Sequence, residues 1–228
     1  MGPKEAAAVE AVKYVEDGMV VGLGSGSTAS IAIKLMGEKV KEEGIEVTGI
    51  PTSAASDLLG RAVGIKIGDL DDHRHVDMTI DGADEVDADL NLVKGLGGAL
   101  VREKMVAAAT RLEMIVVDES KLVVYLGQKA PVPVEVVGFS HVSTMRRLAA
   151  LGCDPVVRLA DGKPYVTDNG NMIIDCKFER IEDPASLESI LNVVPGVVDN
   201  GLFIGLADKV IVGSEEGVHI IERPEQPL

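Results

Sequence analysis

The chain has 228 residues, 46% of them hydrophobic and only 3% aromatic, and a formal net charge of −15. That length supports a sizeable core in one large or two small domains, and the apolar content excludes a disordered chain. The acidic balance excludes a nucleic-acid partner, because binding a polyanion needs a basic face; any phosphate must be held by local groups.

From the N-terminus, Ala8, Val9, Val12 and Val15 recur at helical spacing and predict a helix over 5–15, closed by Asp17-Gly18. A buried strand over 19–23 follows, then a helix over 27–40, a strand over 45–50, a helix over 54–63, a short strand over 65–67, a strand over 76–80, a helix over 99–110 and a strand over 114–117. Strands alternating with helices imply right-handed crossovers and a mostly parallel sheet covered on both faces, which binds ligands at its strand C-termini. Few aromatics mean that Val, Ile, Leu and Ala fill this core. The rhythm changes at Lys129-Ala130-Pro131-Val132-Pro133, where two prolines suit an edge or linker. Beyond it a strand over 134–137, a helix over 142–151, strands over 156–159 and 172–176 and a helix over 184–191 make a small α+β unit, with Asp168-Asn169-Gly170 as a turn. Strand-like stretches over 209–212 and 218–221 are candidates to return to the first sheet. The division expected is a catalytic domain over 1–129 plus 205–228 and a small, oligomerising domain over 130–204.

Cys153 and Cys176 give neither a disulfide framework nor a CxxC, which suits a reducing compartment. There is no signal-peptide layout and no apolar run near the ~18 residues of a membrane span, so a soluble cytoplasmic protein without membrane contact is expected.

Three stretches carry chemistry. The first is Gly22-Leu23-Gly24-Ser25-Gly26-Ser27-Thr28, between a strand and a helix. Glycines let backbone approach a ligand, the first helical amides point at it, and the hydroxyls of Ser25, Ser27 and Thr28 add donors for a phosphate monoester. The run also fits a loose dinucleotide pattern, but that pattern needs an acid at the end of the next strand, where the chain has Ile50, Pro51 and Thr52. A dinucleotide is disfavoured, and no cofactor is expected. The second stretch, Asp81-Gly82-Ala83-Asp84-Glu85, puts Asp81 and Asp84 at a strand's C-terminal rim, although Asp beside Gly also serves ordinary turns. The following Asp87-Ala88-Asp89-Leu90-Asn91 fails as a calcium loop, with Leu92 in the glycine place and Gly98 in that of the closing glutamate. His73-Arg74-His75 has no further ligand nearby in sequence and reads as a surface loop, leaving no metal site.

The third stretch is Lys94-Gly95-Leu96-Gly97-Gly98 followed by Arg102-Glu103-Lys104. On a helix over 99–110 the i±3 and i±4 neighbours of Glu103 are Ala99, Leu100, Val106 and Ala107, all apolar. A carboxyl on that stripe points into the protein, and burial makes it a better base. Lys94 beside several backbone amides is one way to hold a developing oxyanion.

Taken together and in this order, GLGSGST, DGADE, KGLGGAL with REK, DESK over 118–121, VPVEV over 132–136, VTDNGN over 166–171 and VPGVVDNGLF over 194–203 span the whole chain, which closely resembles ribose-5-phosphate isomerase of the A type. The resemblance implies a Rossmann-like three-layer α/β domain with a second, smaller α+β domain, a homodimer or homotetramer, and metal-free aldose–ketose isomerisation of ribose 5-phosphate and ribulose 5-phosphate in the pentose phosphate pathway. It makes Glu103 the base that moves a proton between C2 and C1 through an enediolate. Lys94 and the amides of Gly95, Leu96 and Gly97 would hold the oxyanion, and Asp81 and Asp84, with Gly82 and Ala83 between them, would bind sugar hydroxyls and assist ring opening. Ser25, Gly26, Ser27 and Thr28 match the family's substrate loop, Lys121 matches a lysine that reaches substrate, and Lys4 adds positive charge near the phosphate. The departure is Leu96, where the family usually has glycine, so a small change in loop shape is expected. The alternative is a sugar-phosphate-binding sensor domain of the same fold family; such sensors carry a preceding DNA-binding domain, which is not expected with a first core strand at Met19.

Overall fold

A computed structural model describes residues 1–223 and divides them into two units. The first holds Met1–Ala83, Arg102–Lys121 and the described residues from Gly205 on; the second holds Asp84–Val101 and Leu122–Ile204.

The sheet of the first unit has seven strands, in the order Val218–Glu222, Lys209–Gly213, Glu113–Asp118, Met78–Asp81, Val20–Leu23, Thr48–Pro51 and Lys66–Ile67. Neighbours run parallel except the outermost pair, where Val218–Glu222 is antiparallel to Lys209–Gly213. Val21 and Leu23 lie on one face with Ala7, Ala8 and Ala11 of the helix Pro3–Val12 and with Ala32, Ile33 and Met36 of the helix Ser27–Glu43. Gly22 points to the other face, where Thr79 and Val106 leave no room for a Cβ. Burial on both faces is why these strands read as continuous apolar runs. The chain order reverses at Val20–Leu23, which has Thr48–Pro51 on one side and Met78–Asp81 on the other. Connections diverge at such a switch point and open a crevice at the strand C-termini. Gly24–Thr28 and Asp81–Ala83 both stand on that rim.

Several boundaries shift for local reasons. The first helix ends at Val12, after which Val15 closes a tighter turn onto the Val12 carbonyl (3.2 Å). Asp17-Gly18 instead clips the approach to the second strand, the Asp17 carboxylate and the Gly18 N–H bonding Glu46 (2.7 Å each), so the ladder starts at Thr48. The second helix runs on to Glu43, where Gly44 takes a left-handed φ of 69° and donates to the Val40 carbonyl.

The second unit has a four-stranded antiparallel sheet, in the order Val197–Asn200, Val132–Val136, Met172–Phe178 and Cys153–Val157. Val132, Val134, Val136, Ile174 and Cys176 form its core with Leu148 of the helix His141–Ala149 and Leu191 of the helix Pro184–Asn192. The expectation that the two prolines mark an edge or linker is overturned: Pro133 lies within an interior strand. The N–H and C=O of one strand residue face the same neighbour. Pro133's carbonyl accepts from Gly201 (2.7 Å), just past the end of Val197–Asn200, so its missing N–H breaks no ladder bond.

Residues 84–101 and 122–129, placed by sequence with the first domain, pack in the second unit. Glu85–Val86, Leu92–Val93 and Leu202–Phe203 form a small antiparallel sheet there that apolar periodicity did not reveal, its strands being only two residues long. Glu85, fully buried, fastens it by accepting the backbone N–H groups of Gly127 (2.6 Å), Lys129 and Ala130 (2.7 Å). No described helix is long and apolar enough to cross a membrane.

Candidate active site

In the first unit the glycine loop and the Asp81 loop are one hydrogen-bonded assembly. Asp81, 1% exposed, accepts the N–H of Ser25 (2.9 Å) and of Gly82 (2.7 Å) on the same carboxylate oxygen. Gly24 is required for this approach, since a Cβ there would lie 2.3–2.5 Å from the Asp81 carboxylate and Cα. The Ser25 hydroxyl meets those of Thr52 (2.8 Å) and Ser53 (2.7 Å), just past the end of the adjacent strand, where a dinucleotide-binding fold would carry an acid. Gly26 takes φ 94° as the helix N-cap, a conformation suited to glycine, so Ser27 and Thr28 occupy the first helical turn instead of capping it. Their hydroxyls and the early helical amides are thus a ready anion site.

Lys4 reaches this turn and donates to the Ser27 hydroxyl (3.1 Å). A cleft of about 490 Å3 opens beside it, lined by Gly2, Pro3, Asp118–Ser120 and Gly213–Glu215. Lys121 ends the 3-10 turn Glu119–Lys121 that follows the strand Glu113–Asp118. Burial pushes the Asp118 carboxyl up, but the Ser120 hydroxyl and N–H, with the charges of Lys4 and Lys121, outweigh it and hold the group below the ordinary carboxylate range. Local cations are thereby present in a strongly acidic protein. The helix Leu100–Ala108 carries Glu103, 5% exposed, on the stripe with buried Leu100, Val106 and Ala107, as the spacing predicts.

In the second unit Asp84 and the Lys94–Gly97 loop come together. The Asp84 carboxylate accepts the Leu96 N–H (2.9 Å), and the Asp84 N–H donates to the Val93 carbonyl. Lys94 is 2% exposed; its N–H bonds the Gly201 carbonyl (2.9 Å) and its ammonium lies 5.4 Å from the centre of the Phe203 ring. Gly95 and Gly98 take φ of 100° and 85°, whereas Leu96 stays outside the left-handed region. Leu96, where the resemblance led to an expectation of glycine, therefore costs no backbone strain, and its side chain is 41% exposed.

A family model described as ribose 5-phosphate isomerase A (phosphoriboisomerase A) matches residues 48–217. The ribose-5-phosphate isomerase A of Pyrococcus abyssi is 47% identical over 96% of this chain and 97% of its own, and that of Parvibaculum lavamentivorans 49% identical over 96% and 97%. The chain belongs to this family. Among solved structures, the family's enzyme from Methanocaldococcus jannaschii superposes with a TM-score of 0.93 at 45% identity, covering 96% of this chain and 97% of that one. A D-ribose-5-phosphate isomerase in complex with phospho-erythronic acid reaches 0.94 at 46% identity with the same coverage.

Sequence reasoning missed the groups that brace the family's motifs. Thr52 and Ser53 follow the strand Thr48–Pro51 without any charged residue to mark them. Glu85 sits inside DGADE, but only the fold shows that it holds 127–130 while Asp84 turns to the loop. Arg158 and Tyr165, which meet the carbonyls of Gly95, Leu96 and Gly97, belong to an unremarkable strand region.

Proposed function

We propose that this protein interconverts D-ribose 5-phosphate and D-ribulose 5-phosphate through an enediolate, without a cofactor, in the cytoplasm. The observation that carries the reading is membership of the isomerase family over nearly the whole chain. Glu103 takes the C2 proton of the open-chain aldose and returns it to C1; the electron pair passes through the C1–C2 enediolate. Its burial on an apolar stripe supports this role, because a carboxylate stripped of water is a stronger base. The ammonium of Lys94 and the amides of the Gly95–Gly97 loop hold the charge on oxygen, supported by a lysine that is itself almost fully buried. Asp81 and Asp84 bind the sugar hydroxyls and move protons between oxygens. Ser25, Gly26, Ser27 and Thr28 receive the phosphate, with Lys4 and Lys121 supplying charge.

The protein is further proposed to form a homodimer or homotetramer through its second unit, where Phe139, Val156, Leu159 and Val193 are exposed. Light scattering reads this directly. A coupled assay of ribose 5-phosphate turnover without added cofactor tests the activity. Full turnover is expected, and it should survive exhaustive chelation; loss with EDTA that a divalent ion restores would overturn the metal-free chemistry.

A further inference from the structure

Resting on that reading, we propose that Arg158, anchored by Asp175, is the positioning residue that aims the amides of the Lys94–Gly97 loop. Arg158 and Asp175 lie in neighbouring regions of the second unit's sheet, where Asp175 pairs with Val156 two residues before the arginine. The Arg158 side chain is 13% exposed and that of Asp175 21%. Nε donates to one oxygen of Asp175 (2.9 Å) and Nη2 to the other, the two-pronged arrangement that fixes a guanidinium in orientation as well as place.

The remaining arm reaches the loop. Nη1 donates to the Gly95 carbonyl (2.9 Å) and to the Leu96 carbonyl (2.8 Å). In a planar trans peptide, the carbonyl of one residue and the N–H of the next point in opposite directions. Two successive carbonyls turned toward Arg158 therefore turn the N–H groups of Leu96 and Gly97 away from it. The Leu96 N–H shows where that direction leads, because it meets the Asp84 carboxylate at 2.9 Å. The Gly97 N–H is aimed to the same side. Successive amides aimed to one side can present donors to an anion, as the Leu96 N–H does to the Asp84 carboxylate. Such an alignment sets carbonyl dipoles side by side and repels itself; the cation behind the loop offsets that repulsion.

Tyr165 supports the same edge. Its hydroxyl lies 3.5 Å from the Gly97 carbonyl, its ring leaves no room for a Cβ at Gly98, and its N–H bonds the Arg158 carbonyl (2.9 Å). The backbone of the strand region and the arginine fork thus brace one loop from one side.

The test separates aim from fold. Arg158→Met keeps length and apolar stem but donates nothing, so the loop should lose its alignment. Turnover of ribose 5-phosphate should fall about 10²-fold in kcat, the scale of losing one oxyanion donor, with KM within about threefold. Affinity for phospho-erythronic acid, whose carboxylate stands in for the enediolate oxygens, should fall by a similar factor, while competitive inhibition by inorganic phosphate stays as in the parent. A general loss of structure would instead lower both affinities together. Should Arg158→Met not fold, Asp175→Asn is read identically: it keeps the guanidinium and loosens its anchor, and about a tenfold fall in kcat is expected. A folded Arg158 variant with parental kcat and parental affinity for phospho-erythronic acid overturns the inference, as does an equal loss of phosphate affinity. Absence of turnover in the parent protein overturns the isomerase reading itself, and the inference with it.

Discussion

Gly22–Thr28 and Lys94–Gly98 are both glycine-rich turns that lead toward helices, yet they are braced by different means. The first rests on strand ends: Asp81 and the Thr52-Ser53 pair come from the two parallel neighbours of Val20–Leu23. The second rests on side chains outside the parallel sheet, with Asp84 taking a loop N–H and Arg158, 62 residues beyond Leu96, taking two carbonyls. A loop held by parallel strand ends inherits its geometry from strand order. A loop braced by a guanidinium fork adds a distant side chain to its own Gly98–Gly95 turn bond and to the Asp84 contact. Packing differs as well, since a Cβ at Gly24 would collide with Asp81 whereas one at Gly97 meets nothing within 4 Å.

The largest effect should come from a change that leaves both loops untouched. Glu103→Gln keeps size and hydrogen-bonding capacity but removes the proton acceptor, so kcat should fall ~10²–10⁴-fold with little change in stability. Exchange of the substrate C2 proton with solvent deuterium should vanish in the same variant. Exchange at the parental rate would move the base elsewhere, with Asp81 the first candidate.

Next comes the packing contrast between the two loops. Gly24→Ala should destabilise by about 1–3 kcal/mol, the usual range for overpacking against groups that cannot retreat. Gly97→Ala should stay within about 0.5 kcal/mol, as surface changes do. Urea titration of the two variants decides this; equal stabilities would erase the distinction drawn between a packed loop and an open one.

A smaller effect belongs to the hydroxyls of the first loop. The double variant Ser27→Ala, Thr28→Ala should raise KM for ribose 5-phosphate about tenfold, corresponding to the loss of at least one hydrogen bond to a charged group, with kcat nearly unchanged. An unchanged KM would place the phosphate elsewhere.

The smallest concerns pH. Asp118 ionises more readily in the folded protein than in the unfolded chain, because Ser120, Lys4 and Lys121 favour its charged form over the cost of burial. Its contribution to stability is therefore complete above the unfolded carboxylate value and is lost as pH falls through the lower, folded one. Partial exposure and screening keep this contribution under about 1 kcal/mol. Stability measured from pH 6 down to pH 2.5 should fall less steeply in Asp118→Asn than in the parent, and parallel curves would remove Asp118 from the account.

Much of the molecule was legible before any fold was seen. Apolar runs of four to six residues alternating with helical periodicity are a local property, so the parallel sheet, the loops at its C-terminal rim and the inward-facing Glu103 could all be read from spacing. The tail's return to the sheet edge was readable for the same reason. Pairing in the second unit was less so, since antiparallel partners there are joined by long excursions and Pro133 broke the expected rule from a position where no ladder N–H was needed.

What the sequence by itself determined is the set of reactive groups and the local turns that present them, because glycine conformations, helix starts and apolar stripes depend on residues a few places apart. Tertiary structure alone decided what stands behind those groups. Glu85 and Asp84 are adjacent acids, yet one accepts three backbone N–H groups in the interior of the second unit and the other faces a loop amide. Arg158 looks like any charged residue on a strand until folding brings Asp175 to one side of its guanidinium and two carbonyls to the other. Hydrogen-bond partners separated by tens of residues leave no periodic trace, and only the packing of the second unit brings them within 3 Å.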